Sequence, residues 1–75
     1  MNKVRRQRLA KWMQNIEVIK GELEDVCSEE ESCFDNLPEN LQSSQMASDM
    51  EEAIEQMNEA VSLIEDAISI IGDIV

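Results

Sequence analysis

The chain has 75 residues, 43% of them hydrophobic and 31% charged, with a formal net charge of −11. At that size one small domain is expected, and its core supplies only about 3–5 kcal/mol unless a disulfide, a metal or another subunit adds to it. The acidic balance argues against direct binding to DNA, RNA or anionic lipid, because affinity for those polyanions comes from lysine and arginine.

Charge is unevenly spread along the chain. Lys3, Arg5, Arg6, Arg8 and Lys11 are five of the six basic residues, and from Trp12 onward Lys20 stands alone against 17 acids. Such a body is drawn to a basic protein surface. The basic start is followed by no apolar stretch or small-residue cleavage site, so no signal peptide is expected. The apolar run Ala67–Val75 is far shorter than the roughly 20 residues that span a bilayer. A cytosolic protein is the expectation, with Cys27 and Cys33 as reduced thiols.

A first helix is predicted over about residues 3–32. Leu9, Trp12, Ile16, Ile19, Leu23 and Val26 step by three and four, the seam of a helix that packs on another, with Met13, Lys20 and Cys27 as a flanking column. At position 30 the seam meets Glu30, within Glu29-Glu30-Glu31, so the helix is expected to lose its partner surface near 28–33. Gly21 falls on the outward side, where it costs roughly 1 kcal/mol against alanine.

The segment Phe34-Asp35-Asn36-Leu37-Pro38-Glu39-Asn40-Leu41-Gln42-Ser43-Ser44 must be a corner. Asp35 and Asn36 are turn formers, and Pro38 disfavours helical geometry at Leu37 while suiting the first position of a new turn. A short helical turn at 38–42 is expected, with Phe34, Leu37 and Leu41 plugging the end of the helix pair. Ser48 with Glu51 fits a capping box, and Ser43 and Ser44 are competing caps for the second helix.

The second helix, about 44–74, carries the clearest pattern. Met50, Ile54, Met57, Val61, Ile64, Ile68, Ile71 and Val75 alternate steps of four and three without a break, and Ala53, Ala60 and Ala67 run beside them. Leu63 and Ile70 lie outside that seam and suggest a second contact surface. The fold class is therefore all-α, an antiparallel two-helix hairpin, predicted to dimerise into a four-helix bundle because one hairpin leaves much of each stripe in water. In the hairpin the N-terminal cations are expected beside Glu65, Asp66, Asp73 and the negative end of the second helix.

Catalytic chemistry has little to work with. There is no histidine, no tyrosine and no glycine-rich phosphate loop, so a non-enzymatic protein without cofactor is expected. Two cysteines five residues apart, without histidine, do not make a zinc site, and Glu29, Glu30, Glu31, Asp35 and Glu39 lack the spacing and central glycine of a calcium loop. No bound metal is expected.

The acids themselves are the candidate site. Glu52, Glu59, Asp66 and Asp73 recur every seventh residue and Glu55 widens the row, while the first helix adds Glu29, Glu30 and Glu31, with Asp35 just after them. At about 1.5 Å rise per residue, Glu52, Glu55 and Glu59 stand about 4.5–6 Å apart, of the order of charge separations along a nucleic-acid strand. One reading is a solvated face that keeps an oligomer soluble. Another is an acidic decoy for a basic nucleic-acid-binding groove, since the i, i+4 lysines that usually neutralise such a face are missing.

The order of motifs, a basic start (Met1-Asn2-Lys3-Val4-Arg5-Arg6), a Glu-rich first helix, the Phe34-to-Ser44 corner and Met50-Glu51-Glu52-Ala53-Ile54, resembles a group of small acidic helical proteins from phages and mobile elements of Gram-positive and gut bacteria. Cys33 stands where that group has a small residue, and Ala47 where it commonly has glycine. The resemblance implies a phage-type accessory protein acting in the cytoplasm of a bacterial host cell. Such proteins resemble anti-defence factors, including anti-CRISPR proteins that occupy the cleft of an RNA-guided nuclease. Two alternatives stand beside that expectation. One is an oligomeric sponge holding a signalling nucleotide through Arg5, Arg6 and Arg8; the other is a helical adaptor joining a partner helix through its seam.

Overall fold

The computed structural model describes residues 1–75 and contains helices and turns alone. Helix α1 spans Lys3–Asp35, a single 3-10 turn covers Glu39–Leu41, and α2 spans Gln45–Gly72. The two long helices pack on each other as an antiparallel hairpin of 59 × 15 × 13 Å. No helix is long and apolar enough to cross a membrane.

Side-chain caps set the helix ends. Asn2 Oδ1 accepts from the Arg5 backbone N–H at 2.9 Å and opens α1. The helix then runs to Asp35, three residues past the expected end, because glutamate is a good helix former and the Glu29–Glu31 run does not break it. Asn36 closes the last turn by donating from Nδ2 to the Ser32 carbonyl at 2.8 Å. At the other side of the corner Ser44 caps α2, its Oγ accepting from Ala47 N–H at 3.2 Å and donating to the Leu41 carbonyl at 2.6 Å. One hydroxyl thus ties the 3-10 turn to the helix start, a link Ser48, already inside α2, cannot make. Phe34, Leu37 and Leu41 are half-buried at this end, as expected of a plug.

The core is thin. Only Cys27, 4% exposed, and Ala47, 2% exposed, are buried. The α2 seam from Met50 to Ile71 is half-buried, as are Ala53, Ala60 and Ala67, in agreement with the sequence pattern. The α1 seam follows the sequence pattern at Leu9, Ile16 and Leu23 but not at Trp12, Ile19 and Val26. The covered positions include Leu9, Met13, Ile16, Lys20, Leu23, Cys27, Glu30 and Phe34, while Trp12, Ile19 and Val26 are 41%, 51% and 53% exposed.

Three rungs between the helices explain the difference. Met13 Cε lies 3.6 Å from where a Cβ on Gly72 would stand, Lys20 Nζ lies 3.5 Å from Glu65 Oε1, and Cys27 Sγ lies 3.4 Å from Asn58 Oδ1. Each seven-residue step up α1 is answered by a seven-residue step down α2, the signature of an antiparallel register. The rungs draw the Met13, Lys20, Cys27 column towards α2 and turn the neighbouring Trp12, Ile19, Val26 column about 100° around the helix, out of the contact. The hairpin has a closed edge, where the rungs lie, and an open one.

The same register corrects the expected place of the N-terminal cations. With Met13 level with Gly72, the residues Lys3–Trp12 run past the last helical residue of α2, by about 15 Å. None of Lys3, Arg5, Arg6, Arg8 and Lys11 pairs with Glu65, Asp66 or Asp73; the chain's ion pairs are Lys20 with Glu65 and, at 3.9 Å, Lys20 with Glu24.

Candidate functional site

The acidic surface is built by a regular helix and a shortage of lysine. On α2, Glu52, Glu59 and Asp66 share one column, and with Glu55 they are all exposed. The hairpin register sets Glu29, Glu31 and Asp35 of α1 at the same levels along the rod as Glu52, Glu55 and Glu59, so both helices contribute acids to the half nearest the corner. Asp66 lies further along, level with Ile19. Glu30 does not belong with them: it occupies the covered column of Leu9, Ile16 and Leu23 and is half-buried.

These acids wrap the rod instead of sharing one face. Glu31 and Glu24 flank the closed edge, where with Cys27, Ser28, Asn58 and Val61 they line a shallow cleft of about 170 Å³. Glu52, Glu59 and Asp66 lie on the back of α2, and Glu29 stands beside the open edge of α1. Lys20, the one cation of the body, is consumed by Glu24 and Glu65. No three acidic or cysteine side chains converge closely enough to hold a metal ion.

Cys27 is the one group whose chemistry the fold alters. Its thiol is placed to donate to Asn58 Oδ1 at 3.4 Å or to Glu31 Oε1 at 3.6 Å. Burial raises its pKa above the ordinary thiol value, and the charge of Glu31 and its hydrogen bond to the protonated form raise it further. A protonated buried thiol is a poor nucleophile. Cys33, six residues on, is exposed and free, so the two cysteines differ in environment.

The sequence reading missed the second feature of the surface. Met1, Arg5, Arg8, Leu9 and Trp12 line a hollow of about 420 Å³ on the overhanging arm of α1, the largest in the molecule. The spacing of five, eight, nine and twelve carries the signal, since those positions lie together on one face of α1. No family model, curated protein or solved structure matches the chain.

Proposed function

We propose that the chain is a non-enzymatic accessory protein whose acidic surface occupies the basic, nucleic-acid-binding groove of another protein. The observation that carries this reading is the absence of compensation: of 17 acids, only Glu24 and Glu65 stand within ion-pair distance of a cation. An acidic helix is ordinarily laced with lysine at i, i+4, which lowers self-repulsion and stabilises the helix. Retaining fifteen unpaired carboxylates on a rod about 15 Å wide sets up a strong negative field, and a groove lined with arginine is its complement.

RNA-guided nucleases are the partner class favoured here, because they hold duplexes and read short motifs through arginines on phosphates and base edges. The phage-like motif order supports an anti-defence role in the cytoplasm of a bacterial host. The acids Glu52, Glu55, Glu59, Glu29, Glu31 and Asp35 would enter the groove first, being concentrated in the half of the rod nearest the corner.

The test is cleavage of target DNA by a purified RNA-guided nuclease, with wild-type protein and with the triple charge reversal E52K/E55K/E59K. Those sites are exposed and lysine keeps helix propensity, so the variant folds. Inhibition that weakens with added salt and disappears in the triple variant supports the reading. Inhibition that survives the reversal, or no binding at low salt, contradicts it.

A further inference from the structure

The open edge of α1 is a single column, Arg5, Trp12, Ile19, Val26 and Cys33, each seven residues from the next. Its three apolar members are the ones that packing on α2 leaves 41–53% exposed. We propose that this edge is the docking surface for a second copy of the chain, whose α1 runs antiparallel to the first about a two-fold axis at Ile19.

Area supplies the first argument. A compact chain of 8.5 kDa exposes about 4,650 Å² by the scaling of monomeric proteins, whereas this hairpin exposes 5657 Å². The surplus, about 1,000 Å², is slightly more than the roughly 800 Å² each partner contributes to an interface of standard size. A chain with two buried residues gains from a second layer what it lacks alone.

Symmetry and charge choose the arrangement. Trp12 and Val26 are equidistant from Ile19, so an antiparallel copy sets Trp12 against the other copy's Val26, Ile19 against Ile19, and Ile16 near Leu23. The flanking column Arg8, Asn15, Glu22, Glu29 then places Arg8 of each copy beside Glu29 of the other. A parallel copy would instead face Arg5 and Arg8 with their own equivalents, and Glu29 with Glu29, which is repulsive at both ends. The hollow between Arg5, Arg8, Leu9 and Trp12 lies where the opposing Val26 and Glu29 arrive. The overhanging arm, without an acidic partner in its own chain, acquires one.

The intrachain register gives an independent check. It carries the level of Ile19 across to position 66 of α2, and about that position Ile64 pairs with Ile68 and Val61 with Ile71. A single axis therefore brings apolar seam positions together on both helices, as an antiparallel four-helix bundle requires. The arrangement does not depend on the acidic-groove reading: Glu52, Glu55 and Glu59 lie outside the interface, and Glu29 is the one acid of that surface that the second copy's Arg8 would take up.

Two experiments on the full chain test it. In a Cys33→Ser background, Ile19→Cys places two thiols at the axis, and mild oxidation is expected to give a covalent dimer. Wild-type Cys33 is expected not to self-link, because the antiparallel copies hold the two Cys33 residues about 42 Å apart along the rod. Failure of the Ile19→Cys link, or ready linking through Cys33, overturns the proposal. Separately, Arg8→Glu and Glu29→Arg should each weaken association about tenfold, each change acting twice across the axis, and the double swap should restore it to within about twofold. Both residues are exposed on α1, so folding is preserved. Single changes without effect, or a double swap that does not rescue, contradict the arrangement, as does a hollow that binds a free nucleotide without change in the association constant.

Discussion

The two edges of the hairpin solve the same problem in opposite ways. On the closed edge α1 and α2 meet through Lys20 with Glu65 and Cys27 with Asn58, polar pairs that fix which residue stands opposite which. On the open edge Trp12, Ile19 and Val26 are left 41–53% exposed. Polar rungs are weak contributors to stability and strong contributors to register, because a slip of one position leaves each of them unpaired. Apolar columns are the reverse: they supply binding energy to whatever covers them and are indifferent to small slips. The chain spends its polar residues on self-recognition and leaves its largest side chain, Trp12, facing outward.

One substitution made on neighbouring residues separates the edges most sharply. Cys27→Glu puts a second carboxylate beside Glu31 in the most covered part of α1 and should destabilise the hairpin by about 3 kcal/mol, read from denaturant unfolding. Val26→Glu, one residue away on the open edge, should leave helicity by circular dichroism unchanged at high protein concentration and weaken self-association at least tenfold, read by sedimentation equilibrium. Equal effects at the two positions would erase the distinction.

Smaller changes sharpen it. Ser44→Ala removes the hydroxyl that joins the 3-10 turn to α2 and should cost about 1 kcal/mol, with Ser48→Ala costing little. Gly21→Ala should stabilise by about 0.4–1 kcal/mol, because a Cβ there meets nothing within 4 Å and the unfolded chain loses freedom. The buried thiol gives the closed edge a pH dependence. Its pKa is raised in the folded state, so its protonated form is favoured by folding. That contribution is complete below the unfolded thiol value and is lost as pH rises through the elevated folded one. Wild type should therefore lose stability in alkaline solution where Cys27→Ser does not. A thiol reagent at neutral pH should label Cys33 quickly and Cys27 only as the hairpin opens.

Much of this architecture is readable from the residues. The α2 seam runs unbroken from Met50 and packs as its spacing indicates, and Pro38 with Asn36 marks the corner. The true contact column of α1 was hidden because it carries Lys20, Cys27 and Glu30 among its apolar members, so the more apolar series through Trp12, Ile19 and Val26 looked like the better seam. Only the partners on α2 reveal otherwise: Asn58, Glu65 and Gly72 recur every seven residues and answer Cys27, Lys20 and Met13 in reverse order. Ser44 prevailed over Ser48 for a similar reason, since its advantage is a bond to Leu41 that exists only once the 3-10 turn has formed. The acids of the candidate surface were legible as a column on α2, but the inward turn of Glu30 was not, because a charge in a thinly covered seam is affordable only where its carboxylate still reaches water.

Trp12 is the only tryptophan and stands on the open edge, so its fluorescence tests the division directly. With wild-type protein diluted from tens of micromolar to nanomolar, emission should shift to the red and quenching by acrylamide should rise, in step with dissociation of the second copy. Emission and quenching that are the same across that range, at the values of a half-exposed indole, would contradict the account.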